Sequence, residues 1–141
     1  MTVAYTIGRI LIPLLFLVNG LQKALDVGEI ARMLEANSIP IPDQIVPYLG
    51  SMPKYQALGY LIAGIEIICG LMVLVGLKAR WAALVLVVFT ACTIIFVYPF
   101  WNMQDAALLD ARTEALKNLS IMGGLLLVVA VGSRPDSPGN R

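Results

Sequence analysis

The chain has 141 residues, 59% of them hydrophobic and 13% charged, with a formal net charge of +1 and no histidine. A soluble domain carries about a quarter charged residues, so this composition, with a mean hydropathy of +0.83, excludes one and points to a membrane protein. Near-neutral charge and scattered bases exclude a nucleic-acid surface, and the length leaves room for about four spans of roughly 20 residues.

The first predicted span covers residues 5–25. It carries Arg9 and Pro13; no small-x-small cleavage site follows, and "NGLQKALDVGEI" continues as helix, so it reads as a retained span rather than a secretory signal. Pro13 removes one intrahelical bond and predicts a bend. Next, Val27, Ile30, Met33 and Leu34 fall on one side of a helical pattern and Glu29, Arg32 and Glu35 on another. This is a short amphipathic surface helix, followed by a proline-punctuated loop.

The second span covers 55–77 and the third 81–100, joined by the basic turn "KAR". "WNMQDAALLDARTEA" reads as a connection to a fourth span at about 115–132, and 133–141 as a polar tail. The expected fold class is therefore all-α: a polytopic membrane protein, an antiparallel four-transmembrane-helix bundle with a short surface helix between spans one and two.

Four spans put both termini on one side. That side carries Arg9, Lys78, Arg80, Arg134 and Arg141 against Asp136; the other carries Lys23, Arg32, Lys54, Arg112 and Lys117 against the remaining acids. The Lys/Arg counts tie, but the short turn "KAR" concentrates its bases, so both termini are expected in the cytoplasm.

"YLIAGIEIICGLMVLVGL" holds one ionisable residue, Glu66. Gly59, Ile62, Ala63, Cys69, Gly70 and Val73 share its helical face, and small residues line helix contacts in membranes, so Glu66 points into the bundle. An ionised group at that depth costs about 2.5–3.5 kcal/mol on insertion scales and needs a partner. Two states fit: a neutral acid donating a hydrogen bond, or a carboxylate paired with Lys23 or Lys117, with Arg9 behind them. The lysines are expected roughly ten to thirteen Å in depth from Glu66, a gap closed by both side chains reaching and by water.

Asn19 lies near Lys23, Asn118 follows Lys117, and Thr90, Thr93 and Trp101 align at spacings of three and eight. Together these predict a polar cavity in the outer half of the membrane with Trp101 at its rim. Taken singly, each lysine is explained by snorkelling and Trp101 by an interfacial belt. Cys69 and Cys92 form no CxxC, which excludes a dithiol redox centre. The lack of histidine excludes haem with imidazole ligands and leaves too few ligands for a metal site.

"GRILIPLLFLVNGLQKALD", "IEIICGLMVLVGLKARWAA", "FVYPFWNM" and "LKNLSIMGGLLLV", in this order, resemble the DoxX family of small four-helix bacterial membrane proteins. Gly20 and Lys23 fit its G-x-x-K, Glu66 its second-helix acid, and Gly76 with Arg80 its G-x-x-x-R turn. Trp101 fits the aromatic after the third helix, and Lys117-Asn118 with Gly123 the K-N-x-x-x-x-G start of the fourth. "YPFW" departs from the histidines that many relatives carry there.

The resemblance implies a membrane subunit of a redox complex that interacts with quinone or quinol, as in thiosulfate:quinone oxidoreductases and quinol oxidase subunits. In that reading Lys23, Asn19, Tyr98, Trp101, Lys117 and Asn118 bind the quinone and Glu66 relays protons. No covalently bound cofactor or metal is expected, and without a redox centre of its own the chain is at most an oxidoreductase subunit. Expected partners are the bilayer, other membrane or peripheral redox subunits, and a second copy in a homo-oligomer. The alternative is a non-enzymatic scaffold or assembly factor. A transporter is disfavoured because no inverted repeat is visible.

Overall fold

A computed structural model describes residues 3–44 and 46–132; the predicted tail 133–141, with Arg134 and Arg141, lies outside the described residues. The helices are α1 (Val3–Leu25), α2 (Val27–Ala36), α3 (Lys54–Val75), α4 (Ala79–Phe96) and α5 (Asp105–Val131). Among the described residues there is no strand. The four long apolar segments, α1, α3, α4 with its continuation to Asn102, and α5, are each long enough to cross a membrane. At 1.5 Å per residue α1 is about 34 Å long, against a hydrocarbon core of about 30 Å. The protein is a multi-pass helical membrane bundle, and the many exposed side chains such as Leu11, Val18, Leu61, Ile68 and Val88 face lipid.

The helices pack in the order α1, α3, α4, α5, with α2 laid on α3. The core is built from small and mid-sized residues: Phe16, Val73, Ala79, Ala82, Ala83, Leu86, Leu125 and Val128. Alanine at the α4 contacts allows close backbone approach, which supplies the packing that lipid exclusion cannot. Glycine does the same elsewhere. A Cβ on Gly59 would sit 2.9 Å from Val27 Cγ2, so that position is the notch in α3 into which α2 docks.

Asp26 separates α1 from α2. Its carboxylate accepts a 3.2 Å hydrogen bond from the Glu29 backbone N–H, an N-cap that starts a new helix one residue after the previous one ends. Ala31 and Leu34 are the buried residues of α2, on the apolar side the sequence predicted.

The termini end is tied by polar contacts between helices. Tyr5 Oη donates to the Gly132 carbonyl at 2.8 Å, which joins the first and last helices on one side of the bundle. Arg80 Nη2 donates to the Ala130 carbonyl at 2.8 Å, at the C-terminal end of α5 where carbonyls lack helical partners and positive charge is favoured. Gly76 has φ +82°, and a Cβ there would lie 3.1 Å from Arg9 Nη1. The G-x-x-x-R turn is thus a left-handed helix stop followed by an arginine that reaches α5.

Helix boundaries differ from the sequence reading at several ends: α1 begins at Val3 rather than 5, and α4 at Ala79 rather than 81, so most of "KAR" is helix. α5 begins at Asp105 rather than near 115, because "DAALLDARTEA" is rich in strong helix formers and its Ala111 and Ala115 are buried. α3 stops at Val75 rather than 77, where Gly76 takes the left-handed cap. α4 stops at Phe96 rather than 100: Pro99 cannot donate into a continuing helix and biases Tyr98 away from helical geometry.

Candidate functional site

The site starts from Gly20. A Cβ at that position would come within 2.8 Å of Ile67 Cγ1, 3.0 Å of Glu66 Cβ and 3.1 Å of the Ala63 carbonyl, so only glycine lets α1 cross α3 at this level. Three residues on, about 4.5 Å along the axis, Lys23 lies over Glu66. Its Nζ is 2.6 Å from Oε1 and 2.7 Å from Oε2. Residue Glu66 is 2% exposed and the Lys23 side chain 20%. The ammonium also lies 5.8 Å from the centroid of the Phe89 ring, whose π-face favours a cation.

Of the states left open by the sequence, the structure has the pair, with Lys23 as the base. The depth gap is smaller than expected: helix crossing puts Gly20, not the helix midpoint, level with Glu66, and the contact is direct. Lys117 instead forms an ion pair with Glu114 one turn earlier on its own helix. Arg9 stays at the opposite end, beside Gly76.

Two adjoining cavities, of about 530 and about 200 Å³, open around this pair and share Asn19, Lys23, Phe89, Thr93, Tyr98 and Glu114 in their walls. The larger runs beneath α2, with Ile30, Met33 and Leu34 as its roof. The smaller reaches down to Glu66 and is also lined by Lys117, Asn118 and Ile121. Thr90 and Thr93 donate their hydroxyl hydrogens to the Leu86 and Phe89 carbonyls, at 2.7 and 3.1 Å, so they are left with lone pairs to offer as acceptors.

The sequence profile of the DoxX family matches residues 4–99, about two thirds of the chain, including Gly20, Lys23, Glu66, Gly76 and Arg80. The chain belongs to the DoxX family. No curated protein and no solved structure gives a match. In this DoxX protein the family's G-x-x-K has a mechanical meaning: the glycine sets the α1–α3 approach and the lysine uses it to hold the acid. The profile match ends before α5, so geometry rather than family likeness joins Lys117 and Asn118 to the site.

Asn19, Lys23, Glu66, Tyr98, Lys117 and Asn118 thus converge on one connected space. Trp101 does not. It is 54% exposed, stacked edge-on against Phe100 with centroids 5.2 Å apart, and absent from both cavity walls. Its alignment with Thr90 and Thr93 assumed a continuous helix, and α4 ends before reaching it. Sequence reasoning missed Phe89, Glu114 and the α2 roof. Glu114 was legible as an i,i+3 partner of Lys117, but only with α5 started early enough to contain it.

Proposed function

We propose that this DoxX protein is a subunit of a membrane redox complex that binds a quinone or quinol beside the Lys23–Glu66 pair. We place it in the bacterial inner membrane with both termini cytoplasmic, the cavity half facing outward. The observation that carries the reading is a largely buried Lys23–Glu66 ion pair, with one lysine donor still free of Glu66, opening onto a largely apolar cavity. Its volume lies in the range of about 300–1,000 Å³ typical of small-molecule sites.

The donor set suits a ligand with an apolar ring and a few oxygens. Lys23 has three N–H donors, of which Glu66 engages two. Asn19, Asn118 and Tyr98 add neutral donors and acceptors, and Phe89, Ile62 and Val97 supply apolar wall. Each lysine is neutralised by a carboxylate, Lys23 by Glu66 and Lys117 by Glu114, so the site offers little to a small anion. A bound quinone would supply the electron-accepting chemistry that the chain's side chains lack. The chain's own contribution is to orient the ring through Lys23 and to hold a transferable proton between Nζ and the Glu66 carboxylate at the cavity wall.

The test is gentle purification followed by lipid extraction. Wild-type protein is expected to retain quinone, and Lys23→Met to retain much less. A co-purifying polypeptide with no quinone would instead favour the scaffold reading.

A further inference from the structure

The cavity has two sides through which a ligand could arrive. One is the mouth beneath α2, bordered by Asp26 and Glu29. The other is the seam between α1 and α5, the slightest contact between adjacent long helices in the bundle. Towards the termini that seam is shut: Ile12 Cδ1 would lie 2.9 Å from a Cβ on Gly124, so the side chain fills the glycine notch. One turn farther along, Leu15 and Ile121 line the smaller cavity, and Leu15 is also 40% exposed on the outside of the bundle. The same side chain therefore borders both lipid and cavity. Above it Asn19 faces Lys117 and Asn118 across the same space. From Leu15 to Asn19 the cavity-lining stretch of α1 extends about 6 Å.

We infer that the α1–α5 seam is a lateral portal: the ligand is a tailed quinone or quinol that loads from the bilayer between Leu15 and Ile121 and leaves its tail there while its ring sits at Lys23. This rests on the proposed quinone reading of the site. The chemistry favours this side. A long apolar tail drawn through the α2 mouth would pass carboxylates, whereas the seam offers Leu15, exposed to hydrocarbon, and then Ile121, partly buried against the core. The order of residues along the portal, apolar at Leu15 and Ile121 and then polar at Asn19, Asn118 and Lys23, matches a molecule with an apolar tail and an oxygen-bearing head.

The test uses the full chain in nanodiscs with two probes: a quinone with an isoprenoid tail delivered in the lipid, and a tail-less benzoquinone delivered in water. Loading is read by rapid filtration and mass spectrometry of retained ligand. Filling the portal with Ile121→Trp is expected to slow loading of the tailed probe about tenfold more than it slows loading of the tail-less one. Slowing of both alike, or of neither, overturns the portal. Leu15→Trp is the second variant should Ile121→Trp fail to fold. A phospholipid with a diazirine in mid-chain gives a readout independent of quinone. Adducts on Phe16, which is 4% exposed and lines the cavity, support the portal, and adducts confined to outward residues such as Leu11 overturn it. If wild type retains neither quinone yet labels at Phe16, the quinone reading fails and the lateral opening stands.

Discussion

Lys23→Met isolates the central interaction. Methionine keeps an unbranched apolar stem and removes every N–H, so both Glu66 oxygens lose partners now at 2.6 and 2.7 Å. Glu66 is 2% exposed, so little of its hydration is restored when the lysine is removed. Removing one member of a buried pair costs about 3–5 kcal/mol, which for a chain of this size corresponds to a fall in Tm of roughly 10–17 °C. Glu66→Leu alone strands the ammonium and is expected to cost a similar amount. The double variant removes both charges together, and replacing a whole buried pair by apolar groups is about neutral or stabilising by roughly 1–4 kcal/mol. The assay is thermal unfolding in one mild detergent at one pH, followed by tryptophan fluorescence, for all four proteins. The double variant should recover most of the loss seen in either single one. Additive losses would refute the reasoning, because independent sites add and a shared ion pair does not.

Gly20→Ala places a methyl 2.8 Å from Ile67 Cγ1 and 3.0 Å from Glu66 Cβ, and should destabilise by about 1–3 kcal/mol in the same melt while weakening quinone retention. Gly76→Ala, at φ +82°, should cost about 1–2 kcal/mol in that melt without changing quinone retention, because the site lies at the other end of the bundle. Glu66→Gln preserves shape and should leave the assembled fold detectable by size exclusion, but impair quinone-linked turnover of the assembled complex at normal expression; wild-type turnover would make Glu66 a structural acid. Trp101→Ala should leave quinone retention unchanged, since the ring is outside both cavities; a large loss would return Trp101 to the site.

The long helices were legible because an apolar run has little choice in lipid: its backbone groups must bond within the segment. The buried face of α3 was equally legible, since Gly59, Ala63, Glu66, Gly70 and Val73 recur at helical spacing and are its buried residues. Registry between helices was not. Whether Lys23, Lys117 or Arg9 reaches Glu66 depends on how far α1 slides along α3, and that is fixed by the Gly20 contact rather than by either helix's pattern. Trp101 failed for a related reason: helical phase extrapolates only as far as the helix, and Pro99 ends this one. Glu114 was hidden by polarity, because an acid-bearing, alanine-rich segment reads as a loop until its alanines are seen to be buried.

The two ends of the bundle are built for different tasks, and their polar groups say how. At the termini end, Tyr5 and Arg80 donate to the Gly132 and Ala130 carbonyls, where α5 finishes and its carbonyls need partners, and Arg9 packs beside Gly76 at the end of α3. Those two hydrogen bonds engage polar side chains with main chain and tie α1 and α4 to α5 without needing a cavity. At the opposite end the polar groups pair with each other, Lys23 with Glu66 and Lys117 with Glu114, around space rather than around backbone. Side-chain pairs of that kind can exchange partners with a ligand, whereas an arginine capping a helix end cannot leave without exposing carbonyls to hydrocarbon. The termini end therefore acts as the rigid base, and the α1–α5 contact, closed at Ile12–Gly124 and open above it, marks where the fixed half gives way to the half that can accept a guest.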